Sequence, residues 1–187
     1  QWVSPEGNVY LSTLIQSKKA LDGRLALEVA LNILQIPSLQ GLNLQVKWPN
    51  DLYSLQGKWG GILVEPLSVN QAIVGVGINL NTPPVENADQ PITSLHRLGL
   101  HQIERLSLIA ELYTAIQQAA QWFEHGSYNL AERFNHHAIW LNQQVEFEHA
   151  QGKLQGRFQG ISNDGAVIIK TDQAQQFYQG RLRLAEI

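Results

Sequence analysis

The feature that most constrains this chain is a change of periodicity near Gln143. Before it, apolar residues recur at helical spacing in some stretches and at strand spacing in others. After it, only short alternating segments remain: VEFEH, GRFQGI, AVIIKT and QQFYQGRLRL, separated by turns such as Asn163-Asp164-Gly165. A single all-helical or all-strand fold cannot accommodate both halves. The expectation is an α+β unit over residues 1–141, a mixed or antiparallel sheet packed by helices. A small β-barrel over 142–187 follows, too small to bury a core alone and so docked on the first unit.

Within the first unit, Asn8–Leu14 is rich in strand formers after a Pro5-Glu6-Gly7 turn. Asp22 is a candidate cap for a helix running to about Gln35, which Pro37 prevents from continuing. Gln45–Trp48 reads as a short strand ending at Pro49. Asp51–Gln56 and Lys58–Pro66 form a hairpin around Gly57. Gln71–Asn79 is apolar nearly throughout, as expected of a strand covered on both faces. Residues 82–91 hold three prolines and read as a surface loop. Ile103–Phe123 is the strongest helix, with Leu106, Ile109, Ala110, Tyr113, Ile116, Ala120 and Phe123 as its apolar stripe. A second helix covers Tyr128–Trp140.

Composition narrows the function. The chain has 187 residues, 44% hydrophobic, with 13 basic and 16 acidic side chains and a net charge of -3. That balance disfavours a general nucleic-acid binder. With no cysteine there is no disulfide framework and no thiolate metal site, which accords with a cytoplasmic location. No apolar run approaches the ~20 residues that span a bilayer. His136 and His137 are adjacent and diverge on their helix, and the other histidines are isolated, so no zinc constellation is visible. Neither a Gly-x-Ser-x-Gly elbow nor a P-loop occurs. The chain has no methionine and begins at Gln1, so a segment upstream is expected.

Three stretches could hold chemistry. Pro49 in Lys47-Trp48-Pro49-Asn50-Asp51 ends the strand, and places Asn50 and Asp51 at its C-terminal edge. Lys47 suits phosphate, Asn50 offers a donor and an acceptor, and Asp51 suits a hydrated Mg²⁺. A solvated Pro-Asn-Asp turn is the bland alternative. Lys58 precedes Trp59-Gly60-Gly61, where adjacent strand glycines mark either close approach to a ligand or a bulge. Gly75-Val76-Gly77-Ile78-Asn79 lacks the third glycine of a dinucleotide fingerprint. It leaves backbone bare enough for a flat ring, or merely for packing.

In combination, KWPNDLYSLQGKWGGILVE (47–65), AIVGVGINLN (72–81) and the opening WVSPEGNVYLS resemble the biotin protein ligases, and the resemblance covers most of the chain. It implies a core of the class II aminoacyl-tRNA-synthetase-like type with an SH3-like C-terminal domain. It implies a two-step reaction. Biotin and ATP give biotinyl-5′-AMP and pyrophosphate, and biotin then passes to a lysine of biotin carboxyl carrier protein. By position, the resemblance assigns Lys58, Lys47 and Asp51 to catalysis. Lys58, Gly61, Gly75 and Gly77 fall to biotin, Trp2, Lys47, Asn50, Ile78 and Asn79 to ATP and the adenylate, and Asp51 to Mg²⁺. A Ser/Thr-Asn biotin-contact motif and a Gly-Arg-Gly-Arg-x-Gly-Arg loop are expected upstream of Trp2. At the other end, Gly180-Arg181-Leu182-Arg183-Leu184-Ala185 departs from the family's terminal stretch, with Arg183 a candidate substitute for its ATP-reaching arginine. Three other readings share the resemblance: a lipoate-type ligase, a biotin-sensing ligase/repressor, and a non-catalytic relative. The family also implies a homodimer as a possible assembly.

Overall fold

The computed structural model describes residues 6–81 and 90–185. In chain order it comprises β1 (Val9–Gln16), α1 (Arg24–Ile33), a 3-10 turn (Pro37–Leu39), β2 (Gln45–Lys47), β3 (Asp51–Ser54), β4 (Gly57–Pro66), β5 (Gln71–Ile78), α2 (Arg105–Glu124) and α3 (Leu130–His137). Five further strands complete it: β6 (Gln144–His149), β7 (Gly152–Ile161), β8 (Val167–Lys170), β9 (Ala174–Phe177) and β10 (Arg181–Leu184).

The strands form two five-stranded sheets, ordered β1-β5-β4-β3-β2 and β10-β6-β7-β8-β9, with every ladder antiparallel. The switch at Gln143 thus marks the passage from one sheet to the other. QQFYQGRLRL, expected as one strand, is two. Gly180 adopts φ 151°, a conformation that favours glycine, and separates β9 from β10.

Helices cover one face of the first sheet. Leu25, Val29 and Ile33 of α1 and Leu108, Leu112 and Ala119 of α2 are buried in one cluster with Ile62, Val74 and Val76. The stripe expected on α2 holds at Ile116 and Phe123 and is corrected at its other positions. Leu106 and Tyr113 are 74% and 49% exposed, whereas Leu108, Leu112, Ala115, Ile116, Ala119 and Phe123 face the core. Both sets are at helical spacing, and packing against α1 and β1 selects between them. Asp22 is also displaced from its expected role. Gly23 is the N-cap of α1, while the Asp22 carboxylate accepts the Arg24 N–H at 2.9 Å and pairs with its guanidinium at 2.7 Å.

β5 is fully buried on its helix side and only partly covered on the other, where Gly77 alone is buried. Ala72, Val74 and Val76 are buried toward the helices, and Gln71, Ile73 and Gly75 are half-buried on the other side. The two sheets meet through Trp48, whose indole N–H donates to Gly165 O at 3.0 Å and whose ring lies 5.9 Å from that of Phe147. Asn135 on α3 adds a second tie by accepting the Ile161 N–H at 2.9 Å.

Candidate active site

What the first sheet carries on the face opposite the helices follows from strand register. Lys47 pairs with Asp51, Asp51 with Gly61, Gly61 with Gly77, and Gly77 with Tyr10. Directly paired residues share a face. One row therefore crosses all five strands, with charge at one end, two glycines in the middle and an aromatic ring at the other. The next row on this face holds Leu63, Gly75 and Ser12. Tyr10 is 40% exposed.

The adjacent glycines of β4 have different causes. A Cβ on Gly60 would stand 2.7 Å from Gly77 O and 3.0 Å from Leu52 Cδ1, so core packing demands that glycine. Gly61 lies in the row of Asp51 and Gly77 on the opposite face, and both glycines are buried there. Lys58 reaches the same face by a bulge, since Gly60 pairs with Leu52 but Lys58 pairs with Tyr53. Trp59 is the extra residue. In a regular strand, alternation would turn Lys58 toward the helices with Gly60 and Ile62; the bulge turns it to the face of Asp51 instead. Trp59 itself is fully buried and donates its indole N–H to Tyr53 O at 2.8 Å.

Lys47, Asp51 and Lys58 converge as a triad. Asp51 Oδ1 lies 2.5 Å from Lys58 Nζ, and Oδ2 lies 3.2 Å from Lys47 Nζ. Burial pushes the Asp51 carboxyl up, but attraction by Lys58 and then Lys47, with their hydrogen bonds, outweighs it and holds the group below the usual carboxylate range. Two cations against one anion leave a positive excess. Lys58 presents it, with a side chain 26% exposed against 9% for Lys47. The Lys47 ammonium is boxed by the rings of Tyr53 and Trp140, at 5.3 and 5.5 Å. Cation–π attraction favours it there.

Asn50 and Asp51 do not end β2 as expected. A cis Trp48–Pro49 peptide forms the turn, Asn50 sits in it, and Asp51 opens β3. Asn50 is tied to β4, donating its amide to Ile62 O at 2.7 Å and accepting the Ile62 N–H at 2.9 Å. Asn79 borders the other end of the row and donates to Thr93 O at 3.2 Å. The Ile78 side chain is buried on the helix side, so only its main chain adjoins the floor. Trp2 lies outside the described residues.

The donor set does not fit a metal held by the protein. Both Asp51 oxygens already meet ammonium groups, and among the described residues no three His, Cys, Asp or Glu side chains form a metal-binding group. Sequence reasoning also passed over Tyr10, Tyr53, Trp140 and Gln90. The alternation Tyr10, Ser12, Leu14 on β1 was a usable signal for the first. The others reach the site through long-range contacts that no local pattern announces.

Two family models match this chain: the biotin/lipoate A/B protein ligase family over residues 1–79, and the biotin protein ligase C terminal domain over residues 140–182. The bifunctional ligase/repressor BirA of Escherichia coli is 29% identical over 183 residues, covering 92% of this chain and 57% of that protein. The biotin–[acetyl-CoA-carboxylase] ligase of Paracoccus denitrificans is 28% identical over 190 residues, covering 91% of this chain and 77% of that one. The fold matches the biotin protein ligase from Aquifex aeolicus in complex with biotin and ATP, with a TM-score of 0.83 at 25% identity over 98% of this chain and 82% of that one. The chain thus spans little more than half the length of its bifunctional relatives. Matched at residues 1–79 and 140–182 by these two models and along nearly its whole length by a solved ligase, the chain is similar to the biotin protein ligases over most of its length.

Proposed function

We propose that this chain carries the phosphate- and carboxylate-handling part of an ATP-dependent biotin protein ligase. The observation behind this reading is the Lys58 ammonium, fixed by Asp51 at the edge of the Gly61–Gly77 floor. In the first step a biotin carboxylate oxygen attacks the α-phosphorus of ATP, forming biotinyl-5′-AMP and releasing pyrophosphate. In the second a carrier-protein lysine amine attacks the acyl carbon and AMP leaves. Both steps concentrate negative charge beside the acyl phosphate, where a preorganised cation stabilises the transition state more than the ground state. Lys58 supplies that cation. Lys47 adds charge from beneath through Asp51. Gly61, Gly75 and Gly77 leave room for biotin, and Asn50, Ile78 and Asn79 line the nucleotide side.

In this reading residues 1–141 form the catalytic domain and residues 142–187 an SH3-like domain docked on it. The acceptor is a biotin carboxyl carrier protein, and the reaction is cytoplasmic. Among the described residues no helix is long and apolar enough to cross a membrane.

The test is biotin- and ATP-dependent labelling of a carrier domain by the complete protein. A folded protein that labels nothing with intact substrates refutes the reading. Lys58→Ala is expected to lower biotin-dependent pyrophosphate release by about 100-fold or more, the size of effect typical of removing one preorganised charge-stabilising group. Its melting temperature should stay close to the parent's, because Lys58 is partly exposed.

A further inference from the structure

Gln90 is a half-buried side chain to which neither the sequence motifs nor the proposed reaction assigns a role. The segment that follows it is stitched to β4 beside Lys58. Lys58 N–H donates to Pro91 O, and Thr93 N–H donates to Lys58 O, each at 2.9 Å. This brings Gln90 against the buried end of the triad. Its carbonyl oxygen accepts from Lys47 Nζ at 2.5 Å, and its amide nitrogen donates to Asp51 Oδ2 at 3.3 Å.

We infer that Gln90 is a positioning residue of this site, a neutral bridge that holds the Lys47–Asp51 pair so that Asp51 Oδ1 remains directed at Lys58. The inference rests on the ligase reading above. A primary amide is the side-chain group that offers an acceptor to an ammonium and a donor to a carboxylate from one plane. A carboxylate in its place would satisfy Lys47 but repel Asp51, and would draw Lys47 away from it. An aliphatic group would satisfy neither. With Gln90 present, Oδ2 is shared by Lys47 and Gln90, and Oδ1 is left to Lys58. The aromatic box of Tyr53 and Trp140 limits where the Lys47 ammonium can move, so the constraint passes to Asp51.

The decisive variant is Gln90→Glu in the complete protein, assayed by biotin-dependent pyrophosphate release. The introduced carboxyl faces Lys47 and Asp51. The lysine that helps hold Asp51 ionised holds this carboxyl ionised too, so the added charge persists through the working pH range. The expected rate deficit relative to parent is roughly tenfold, and it should fall on kcat more than on KM. Gln90→Leu should show a similar deficit, and both variants should melt close to the parent. If the parent releases pyrophosphate and loses it with Lys58→Ala, yet both Gln90 variants are within twofold of parent, or lose rate only in proportion to lost folding, the role of Gln90 is overturned alone. If the parent releases none, the ligase reading fails and this inference falls with it.

Discussion

The two sheets have the same number of strands and the same antiparallel pairing, yet most of their glycines answer to different demands. In the second sheet Gly156, Gly160 and Gly180 mark close packing, while Gly152 has open space around it. A Cβ on Gly156 would stand 2.8 Å from Ile169 Cγ2 and Lys170 O. Gly160 and Gly180 have φ of 96° and 151°, and a Cβ on either would press into Asn135 or Phe147. In the first sheet a Cβ on Gly75 would meet nothing closer than Ser12 Oγ at 3.7 Å. Gly61 and Gly77 are aligned between a charged triad and Tyr10. Glycine in one sheet lets protein touch protein. In the other, Gly57 and Gly60 also pack closely, while Gly75 leaves space on the face opposite the helices. A strand glycine weakens its strand either way, so each kind needs its own compensation.

The largest expected effect breaks the second sheet. Gly180→Ala puts a methyl group against Phe147 in a conformation that side chains rarely adopt, and should cost about 3 kcal/mol. A lowered denaturant midpoint with an unchanged slope would show it. A midpoint equal to the parent's would mean that these glycines are not packing residues, and the contrast between the sheets would collapse.

How much of this was legible beforehand depends on range. The order of the lysine, glycine and asparagine stretches was visible along the chain, as was the change of period at Gln143. The pairing that turns Asp51, Gly61, Gly77 and Tyr10 into one row was not, because register is settled between strands that are separated in sequence. The bulge, one of two readings of the paired glycines, falls at Trp59, one residue before them, and Gly60 itself serves core packing. The α2 stripe was legible at Ile116 and Phe123 but not at Leu108 or Leu112, because the helix offers overlapping apolar faces and only its neighbours distinguish them. Trp140 and Gln90 come from segments whose local composition says nothing about a buried lysine.

The middle effect concerns charge. Asp51 in the first sheet is held by two lysines at 13% side-chain exposure, whereas Glu146 in the second pairs with Lys153 across exposed strands at 2.9 Å. Asp51→Asn leaves two ammonium groups facing each other and should cost roughly 2 kcal/mol at pH 7, less than a fully buried pair because water reaches Lys58. Glu146→Gln should leave the unfolding midpoint unchanged. The Asp51 carboxyl is depressed in the folded state, so its stabilisation is complete above the ordinary carboxylate pKa of about 3.9 and is lost as pH falls through the lower folded value. The stability gap between parent and Asp51→Asn should therefore close in that acid window. A gap that stays constant from pH 7 to pH 2 would show that the carboxylate charge is not what stabilises the triad.

The smallest effect on stability, and the sharpest on the comparison, is expected from Gly75→Ala. The position is ordinary extended backbone with room for a methyl group. Alanine should leave stability unchanged or raise it by up to about 0.5 kcal/mol, since glycine in a strand loses more conformational entropy on folding. Yet the methyl would rise from the floor one row from Gly77, on the face where the Lys58 ammonium stands. In the ligase reading it meets bound biotin, and calorimetry should show affinity weakened by about tenfold, the cost of one misplaced methyl group in a close-fitting site. Stability and binding would then move independently, which no packing glycine allows. A loss of more than about 1 kcal/mol in stability would place Gly75 with Gly156 as a packing residue. Unchanged biotin affinity in a stable variant would move the ligand elsewhere on the sheet, and leave the glycine row without the role its register suggests.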